Sequence, residues 1–210
     1  MANGNRISLS NDTGTGSGPV FNALGVTRDP ASGVIYVASA EADRKIYSVT
    51  LPGGDRTIIS DAATGVGPVF DELDSVTIDE TTGDLFTNGE DALGNVVFKV
   101  DPATGDRTIV SAGDGPILSS ISEVRYWQEE EVVLASGEAE GALFRVDPAS
   151  GDRFIVSGPT VGQGPYMGDL SSFALHTPSR VAFVIGSGDA GYRIFAVDLD
   201  SGDRVIIAAD

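Results

Sequence analysis

The sequence predicts an all-β fold, a β-propeller of four four-stranded antiparallel blades, and three observations carry that expectation. The tripeptide Gly-Asp-Arg recurs at Gly54-Asp55-Arg56, Gly105-Asp106-Arg107, Gly151-Asp152-Arg153 and Gly202-Asp203-Arg204, with a variant at Gly4-Asn5-Arg6. A second marker, Gly-Pro followed by two apolar residues, keeps the same register at Gly18-Pro19-Val20-Phe21, Gly67-Pro68-Val69-Phe70, Gly115-Pro116-Ile117-Leu118 and Gly164-Pro165-Tyr166-Met167. Each copy also holds four short runs of β-branched and aromatic residues, too short for stable helices. Four antiparallel strands cannot bury both faces alone, so neighbouring copies must stack. A four-strand meander repeated at roughly 40–50 residues is the mark of a propeller rather than of a sandwich or an open solenoid. The four copies are a whole ring, half of a larger one, or a segment of a longer array.

Within each copy the runs follow in the order A to D. Run A covers 25–28, 75–78, 123–126 and 172–175, and run B covers 34–37, 85–87, 132–135 and 181–185. Run C carries an aromatic at one position, Tyr47, Phe98, Phe144 or Phe195, and run D follows each Gly-Asp-Arg. The C-to-D connection Asp101-Pro102-Ala103-Thr104-Gly105-Asp106 recurs at 147–152 and, less closely, at 198–203. Its Pro presets the negative φ of a type I turn, and its Gly is free to take the left-handed φ that returns the chain to the sheet. The repeated Arg is expected to pair with a nearby Asp or carbonyl. One domain over 1–210 follows, with repeats at 11–60, 61–111, 112–157 and 158–208. A surplus D-like run at 5–10 is expected to add an extra outer strand. It competes with 205–207 for one place, and an unpaired edge of that kind invites self-association.

The segment Val-Asp-Pro-Ala-Thr-Gly-Asp-Arg-Thr-Ile-Val-Ser at 100–111 resembles the repeats of bacterial propellers of the NHL and gluconolactonase-like type. The resemblance runs over nearly the whole chain and implies the propeller fold. It implies no single chemistry, because that group includes lactone hydrolases as well as binding modules. Leu24-Gly25-Val26 and Asp74-Ser75-Val76 stand where many such repeats begin the inner strand with Arg-Gly-Ile.

Thirteen basic residues against 31 acidic ones give a net charge of -18, which repels phosphate backbones and anionic lipid. Nucleic acid and membrane are therefore excluded as expected partners. The absence of cysteine removes disulfides, thiolate nucleophiles and Cys-bound zinc. No apolar run reaches the ~18 residues that span a bilayer. The polar start Met1-Ala2-Asn3-Gly4 is not a secretory signal. A soluble protein is expected; acidity spread along the chain in this way is common in secreted or salt-adapted proteins, and secretion with the signal removed fits the same expectation.

Candidate sites follow from the register. The B-to-C loops each bring an acid, Glu41, Glu90, Glu138 and Asp189, which a propeller would set in a ring around the channel mouth. Hard oxygen ligands of that kind suit calcium or magnesium, although ordinary exposed loop acids fit the same pattern. Asp43, Asp91 and Glu140 lie in the same loops. The Gly-Pro loops read as structural, with Phe21, Phe70, Leu118 and Met167 filling the space between blades. Inner strands begin with the small residues Gly25, Ser75 and Ser172, except that the third copy has Glu123. That copy also carries Tyr126-Trp127 ahead of Glu129-Glu130-Glu131. Tyr126 and Trp127 are candidate contacts for a small molecule or protein ligand, with Trp127 covering a blade edge as the alternative. His176 is the sole histidine and no Gly-x-Ser-x-Gly elbow occurs. The expected function is a non-enzymatic propeller for binding or assembly, with a divalent cation at the loop face. The alternative is a divalent-metal-dependent hydrolase of the lactonase type.

Overall fold

The computed structural model of the chain describes residues 7–11, 13–40, 44–91, 94–138, 140–188 and 191–209. Among them sixteen strands form four antiparallel sheets, each a meander in chain order. Blade 1 consists of β1 (Ala23–Arg28), β2 (Ile35–Ser39), β3 (Lys45–Val49) and β4 (Arg56–Ser60). Blade 2 consists of β5 (Val76–Ile78), β6 (Leu85–Asp91), β7 (Gly94–Val100) and β8 (Arg107–Ile109). Blade 3 follows with β9 (Ile121–Trp127), β10 (Val132–Gly137), β11 (Ala142–Val146) and β12 (Arg153–Ser157). Blade 4 is β13 (Asp169–His176), β14 (Val181–Gly188), β15 (Gly191–Asp198) and β16 (Arg204–Ala209). The expected all-β architecture of four four-stranded blades is the observed one.

The middle strands of blades 2 and 3 are buried on both faces because each of these blades is packed between two others. Every residue of β10 is buried, and the aromatics Tyr47, Phe98, Phe144 and Phe195 are at most 1% exposed. Three apolar layers hold successive blades together. The first joins Tyr36, Ala38 and Ile46 of blade 1 to Phe70, Val76 and Phe98 of blade 2. The second joins Phe86 and Val97 to Leu118, Val124 and Phe144, and the third joins Leu134 and Leu143 to Met167, Phe173 and Phe195. Phe70, Leu118 and Met167 are buried as the interblade plugs they were expected to be.

The two sequence markers meet at each junction. The arginine of Gly-Asp-Arg donates from Nε to the carbonyl of the Gly-Pro proline: Arg56 to Pro19 at 2.8 Å, Arg107 to Pro68 at 2.7 Å, Arg153 to Pro116 at 2.8 Å and Arg204 to Pro165 at 2.7 Å. Its Nη1 reaches back to Ser10 Oγ of the N-terminal run (2.7 Å) in the first case, and to the end of the preceding outer strand at Ser60 Oγ (2.7 Å), the Ser111 carbonyl and Ser157 Oγ (3.2 Å) in the other three. The aspartate of the tripeptide accepts a backbone N–H from the same incoming loop, at 2.8 Å from Ser17, 2.9 Å from Val66, 2.9 Å from Asp114 and 2.6 Å from Gln163. The arginine therefore pairs mainly with carbonyls, the second of the two partners expected for it.

The glycine of each tripeptide sits in the left-handed region, at φ +76, +78, +83 and +76 for Gly54, Gly105, Gly151 and Gly202. A Cβ on Gly105 would come within 2.2 Å of the Ile59 carbonyl oxygen of the previous blade, so the turn and the close approach both require glycine. The Asp that opens the turn caps it: Asp101 and Asp147 each accept the N–H two residues on at 2.8 Å.

The N-terminal run behaves differently from the outer strand expected of it. Residues 7–10 lie in no sheet, and residues 5 and 6 fall outside the described residues. Asn11 turns the chain back on itself, its Oδ1 accepting the N–H groups of Thr13 (3.0 Å) and Thr15 (3.1 Å). Ser10 meanwhile donates to the Gly54 carbonyl at 2.7 Å, as Ser60 does to Gly105 and Ser157 to Gly202. The run thus takes the place of the end of a preceding outer strand without pairing along an edge.

Arg107 is 3% exposed, and its guanidinium also serves the carbonyls of Asp61 and Thr64, each at 2.8 Å. Arg107→Ala should cost on the order of 3 kcal/mol, because several buried acceptors lose a charged donor at once. Arg107→Lys should recover only part of that, since an ammonium cannot reproduce the planar fork. Urea denaturation of the two variants beside the parent tests this; equal midpoints for all three would contradict it.

Candidate functional site

The inner strands converge on a polar pocket of about 230 Å³, lined by residues of all four blades, among them Gly25, Ser75, Glu123, Arg125 and Ser172. Small residues at the strand starts let the backbones approach closely. A Cβ on Gly25 would lie 2.5 Å from the Ser75 Cα. Polar side chains then stitch neighbouring inner strands together. Ser75 Oγ accepts the Val124 N–H at 2.9 Å, Thr77 Oγ1 accepts the Tyr126 N–H at 3.1 Å, and Ser122 Oγ donates to the Leu170 carbonyl at 2.9 Å.

Blade 3 breaks the symmetry. Glu123 and Arg125 stand where the other blades have Gly25, Ser75 and Ser172, and Thr27, Thr77 and Ala174. Glu123 is 8% exposed, and its Oε2 accepts from Ser172 Oγ at 2.5 Å and from the Phe173 N–H at 2.8 Å. Its Oε1 pairs with Arg125, whose side chain remains 38% exposed. One carboxylate thus pins blade 4 to blade 3 while holding a cation at the pocket wall. The sequence pointed to Glu123 but not to Arg125, which strand register alone would have found.

Of the expected acid ring, Glu41 and Asp189 lie outside the described residues, as does Asp43. Glu90 accepts from Asn95 Nδ2 at 3.1 Å within its own hairpin, and Glu138 accepts from Ser120 Oγ at 3.0 Å in the loop ahead of β9. Nearby, burial raises Glu72, and the Glu90 and Asp74 carboxylates add to the effect. Among the described residues no three His, Asp or Glu side chains stand close enough together to hold a metal ion. His176 is exposed, its Nδ1 2.6 Å from Ser179 Oγ three residues on, an arrangement local to the turn after β13.

Trp127, a candidate contact with a blade-edge role as its alternative, is 3% exposed. The Arg180 guanidinium covers its ring 4.6 Å from the centroid, and Arg180 in turn bonds Glu130 at 2.6 Å and Asp200 at 2.8 Å. The aromatic and one of the three successive glutamates therefore join blade 3 to blade 4, and Trp127 covers a blade edge. Tyr126 stacks on Phe86 of blade 2, with centroids 5.0 Å apart and planes 7° from parallel. Both candidate contacts work at blade junctions.

No protein-family model and no curated protein sequence matches the chain. Solved structures do resemble it in fold. A chain of a nidogen/laminin complex superposes with a TM-score of 0.70 at 12% identity, covering 89% of this chain and 65% of that one. TolB from Acinetobacter baumannii gives 0.65 at 14% identity over 90% of this chain and 44% of its own. A protein of unknown function from Bacteroides thetaiotaomicron gives 0.68 at 14% identity, over 91% and 49%. At such identities the likeness shows the propeller fold alone. The chain spans 65% or less of each of these three chains.

Burial pushes the Tyr126 hydroxyl up to about 12, with the Asp79 carboxylate adding to the effect. A phenol raised in the folded state contributes its full stability below its ordinary pKa of about 10 and loses it as pH climbs through the folded value. Spectrophotometric titration of the five tyrosines should show a component near 12 that Tyr126→Phe removes. The same variant should flatten the fall in stability between about pH 10 and 12. An unchanged titration curve would contradict the assignment.

Proposed function

We propose that the chain is a non-catalytic binding module of the NHL and gluconolactonase-like propeller type, which takes a small hydroxylated or carboxylated ligand in its axial pocket. The single observation behind this reading is the break in symmetry at blade 3. At the position of Glu123 the other blades contribute the small residues Gly25, Ser75 and Ser172; blade 2 adds the acid Asp74 to the lining, and only the third blade sets a cation, Arg125 paired with Glu123, against the wall. Structural repetition explains equivalent residues in every blade; it does not explain one cation placed at the axis. Arg125 offers a planar fork of donors suited to a carboxylate or a pair of hydroxyls, and Glu123 orients it. The surrounding serines match the same chemistry. The kinship to NHL and gluconolactonase-like repeats is supported by the segment at 100–111, whose turn and arginine perform the same structural task in every blade.

Isothermal titration against monosaccharides, aldonic acids and their lactones is the direct test. At least one class should bind, and Arg125→Ala should weaken it about tenfold or more, the worth of a charge-assisted hydrogen bond. No heat and no shift in melting temperature across the panel would remove the ligand reading. Turnover of a lactone, with or without added calcium or magnesium, would remove the non-catalytic one.

A further inference from the structure

The junction between blades 2 and 3 is built on a shorter loop than the others. Between the serine at the end of each outer run and the glycine that abuts the next tripeptide, the chain places five residues at 11–15, four at 61–64 and four at 158–161, but only Ala112 between Ser111 and Gly113. Backbone bonds fix the register. The Arg107 N–H donates to the Val66 carbonyl at 2.7 Å and the Arg153 N–H to the Asp114 carbonyl at 2.8 Å, so Gly113 stands where Gly65 does and the loop is three residues short of 61–64.

The residues left out are those whose carbonyls serve the clasp. Arg107 Nη1 bonds the Asp61 and Thr64 carbonyls, each at 2.8 Å, and Arg204 Nη1 bonds the Val161 carbonyl at 3.0 Å. Arg153 has one bond from each nitrogen, Nε to Pro116, Nη1 to the Ser111 carbonyl and Nη2 to the Gly115 carbonyl at 3.3 Å. The serine hydroxyl does not serve it, because Ser111 Oγ accepts the Val97 N–H at 2.8 Å. Two of its five N–H donors thus lack a partner among the described residues. Arg56, Arg107 and Arg204 are buried, whereas Arg153 is half-buried.

Beside this arginine lies a cavity of about 330 Å³. Val96 and Ile109 of blade 2 and Ile117 and Leu118 of the incoming loop make its wall apolar; Arg153 is its one cation and Asp91 its one acid. The junction of blades 1 and 2 shows what chemistry suits the place. Ala112 follows Ser111 as Asp61 follows Ser60, and Val96 stands two residues before the strand aromatic as Lys45 does. Asp61 is 8% exposed and within electrostatic reach of both Arg107 and Lys45. The later junction keeps the arginine, has alanine in place of that acid, and has valine in place of the lysine.

We infer that this cavity binds a small monocarboxylate with a short apolar tail. The ligand's carboxylate stands in for Asp61 and accepts from the Arg153 guanidinium, a charge-assisted pairing. Its tail lies on Val96, Ile109 and Leu118. A volume near the lower bound of small-molecule sites, ~300 Å³, limits the tail to a short chain or a single ring. Asp91 on the lining and the net charge of -18 act against a dianion, so inorganic phosphate is a poor ligand. The site is distinct from the axial pocket, and the inference does not rest on the ligand proposed there.

Isothermal titration of the full chain with hexanoate and benzoate, beside neutral hexanol and inorganic phosphate, tests the assignment. Hexanoate or benzoate should bind at least about tenfold more tightly than hexanol or phosphate, the worth of a charge-assisted hydrogen bond. Two variants locate the site. Ala112→Asp supplies the carboxylate from within, and replacing Ala112 by the Asp-Ala-Ala-Thr of 61–64 restores the whole loop. Each should weaken carboxylate binding about tenfold or more. The longer loop should also raise the melting temperature by returning carbonyls to Arg153. Ala112 is exposed, so A112D keeps the fold and decides the matter should the longer loop not fold. Arg125→Ala should leave the binding unchanged, which separates this site from the axial one. The inference is overturned by the absence of heat and of any melting shift at about 10 mM carboxylate, where even a millimolar contact would be populated. Equal affinity for hexanol or phosphate, binding that A112D leaves intact, or binding that R125A abolishes would overturn it too.

Discussion

The structure depends on a guanidinium held among carbonyls. Each blade must join the next at its outer rim, where sheets diverge and apolar packing thins out, and where the incoming loop carries backbone groups with no strand to pair with. The Gly-Asp-Arg arginine satisfies several of them at once. It bonds the proline carbonyl of the incoming loop and the end of the preceding outer strand, while the neighbouring aspartate takes an N–H of the same loop. A planar fork with five donors suits this task, and a cluster of oriented carbonyl dipoles offsets the cost of burying the charge. Burial draws Arg107 and Arg204 below the usual guanidinium range, and the nearby Asp61, Asp106 and Asp203 pull the other way.

From that clasp the rest of the junction follows. The turn ahead of the arginine must bring its glycine against the previous blade, so the left-handed φ and the absence of Cβ are needed together. The Gly-Pro loop must present its carbonyl to Nε and its aromatic to the interblade layer; Phe21 and Phe70 do so beneath the guanidiniums of Arg56 and Arg107, 5.5 and 5.3 Å from the ring centroids. Packing is then nearest-neighbour, as in other repeat proteins, and Phe183 and Ile194 of blade 4 are more exposed than their equivalents in the inner blades.

Symmetry and its breaking divide structure from function here. Residues repeated in every blade, such as the strand C aromatics and the tripeptide arginines, are accounted for by packing and clasp. Glu123 and Arg125 occur once, at the axis, in a pocket to which all four blades contribute. The junction of blades 3 and 4 is reinforced in step, through Glu123 inside and Arg180 over Trp127 at the far end of the same strand.

The amino-acid sequence by itself determined the unit and its count, because turn chemistry and strand period are local properties: Asp-Pro-x-x-Gly-Asp can only turn one way, and alternating apolar runs of five or six residues can only be strands. It also marked the interblade plugs Phe70, Leu118 and Met167, and singled out Glu123 as an exception. Only tertiary structure decided where long side chains reached. Trp127 reads in one dimension as an exposed aromatic among glutamates, yet Arg180 of the next blade, about fifty residues on, lies across its ring. Residues 7–10 read as one more strand, but pairing needs an edge at the right distance, and Ser10 is held instead by Arg56 and Gly54. Whether four blades close is likewise invisible in the repeat, since ring closure depends on the angle between sheets, which is set by how side chains of different copies fill the space between them.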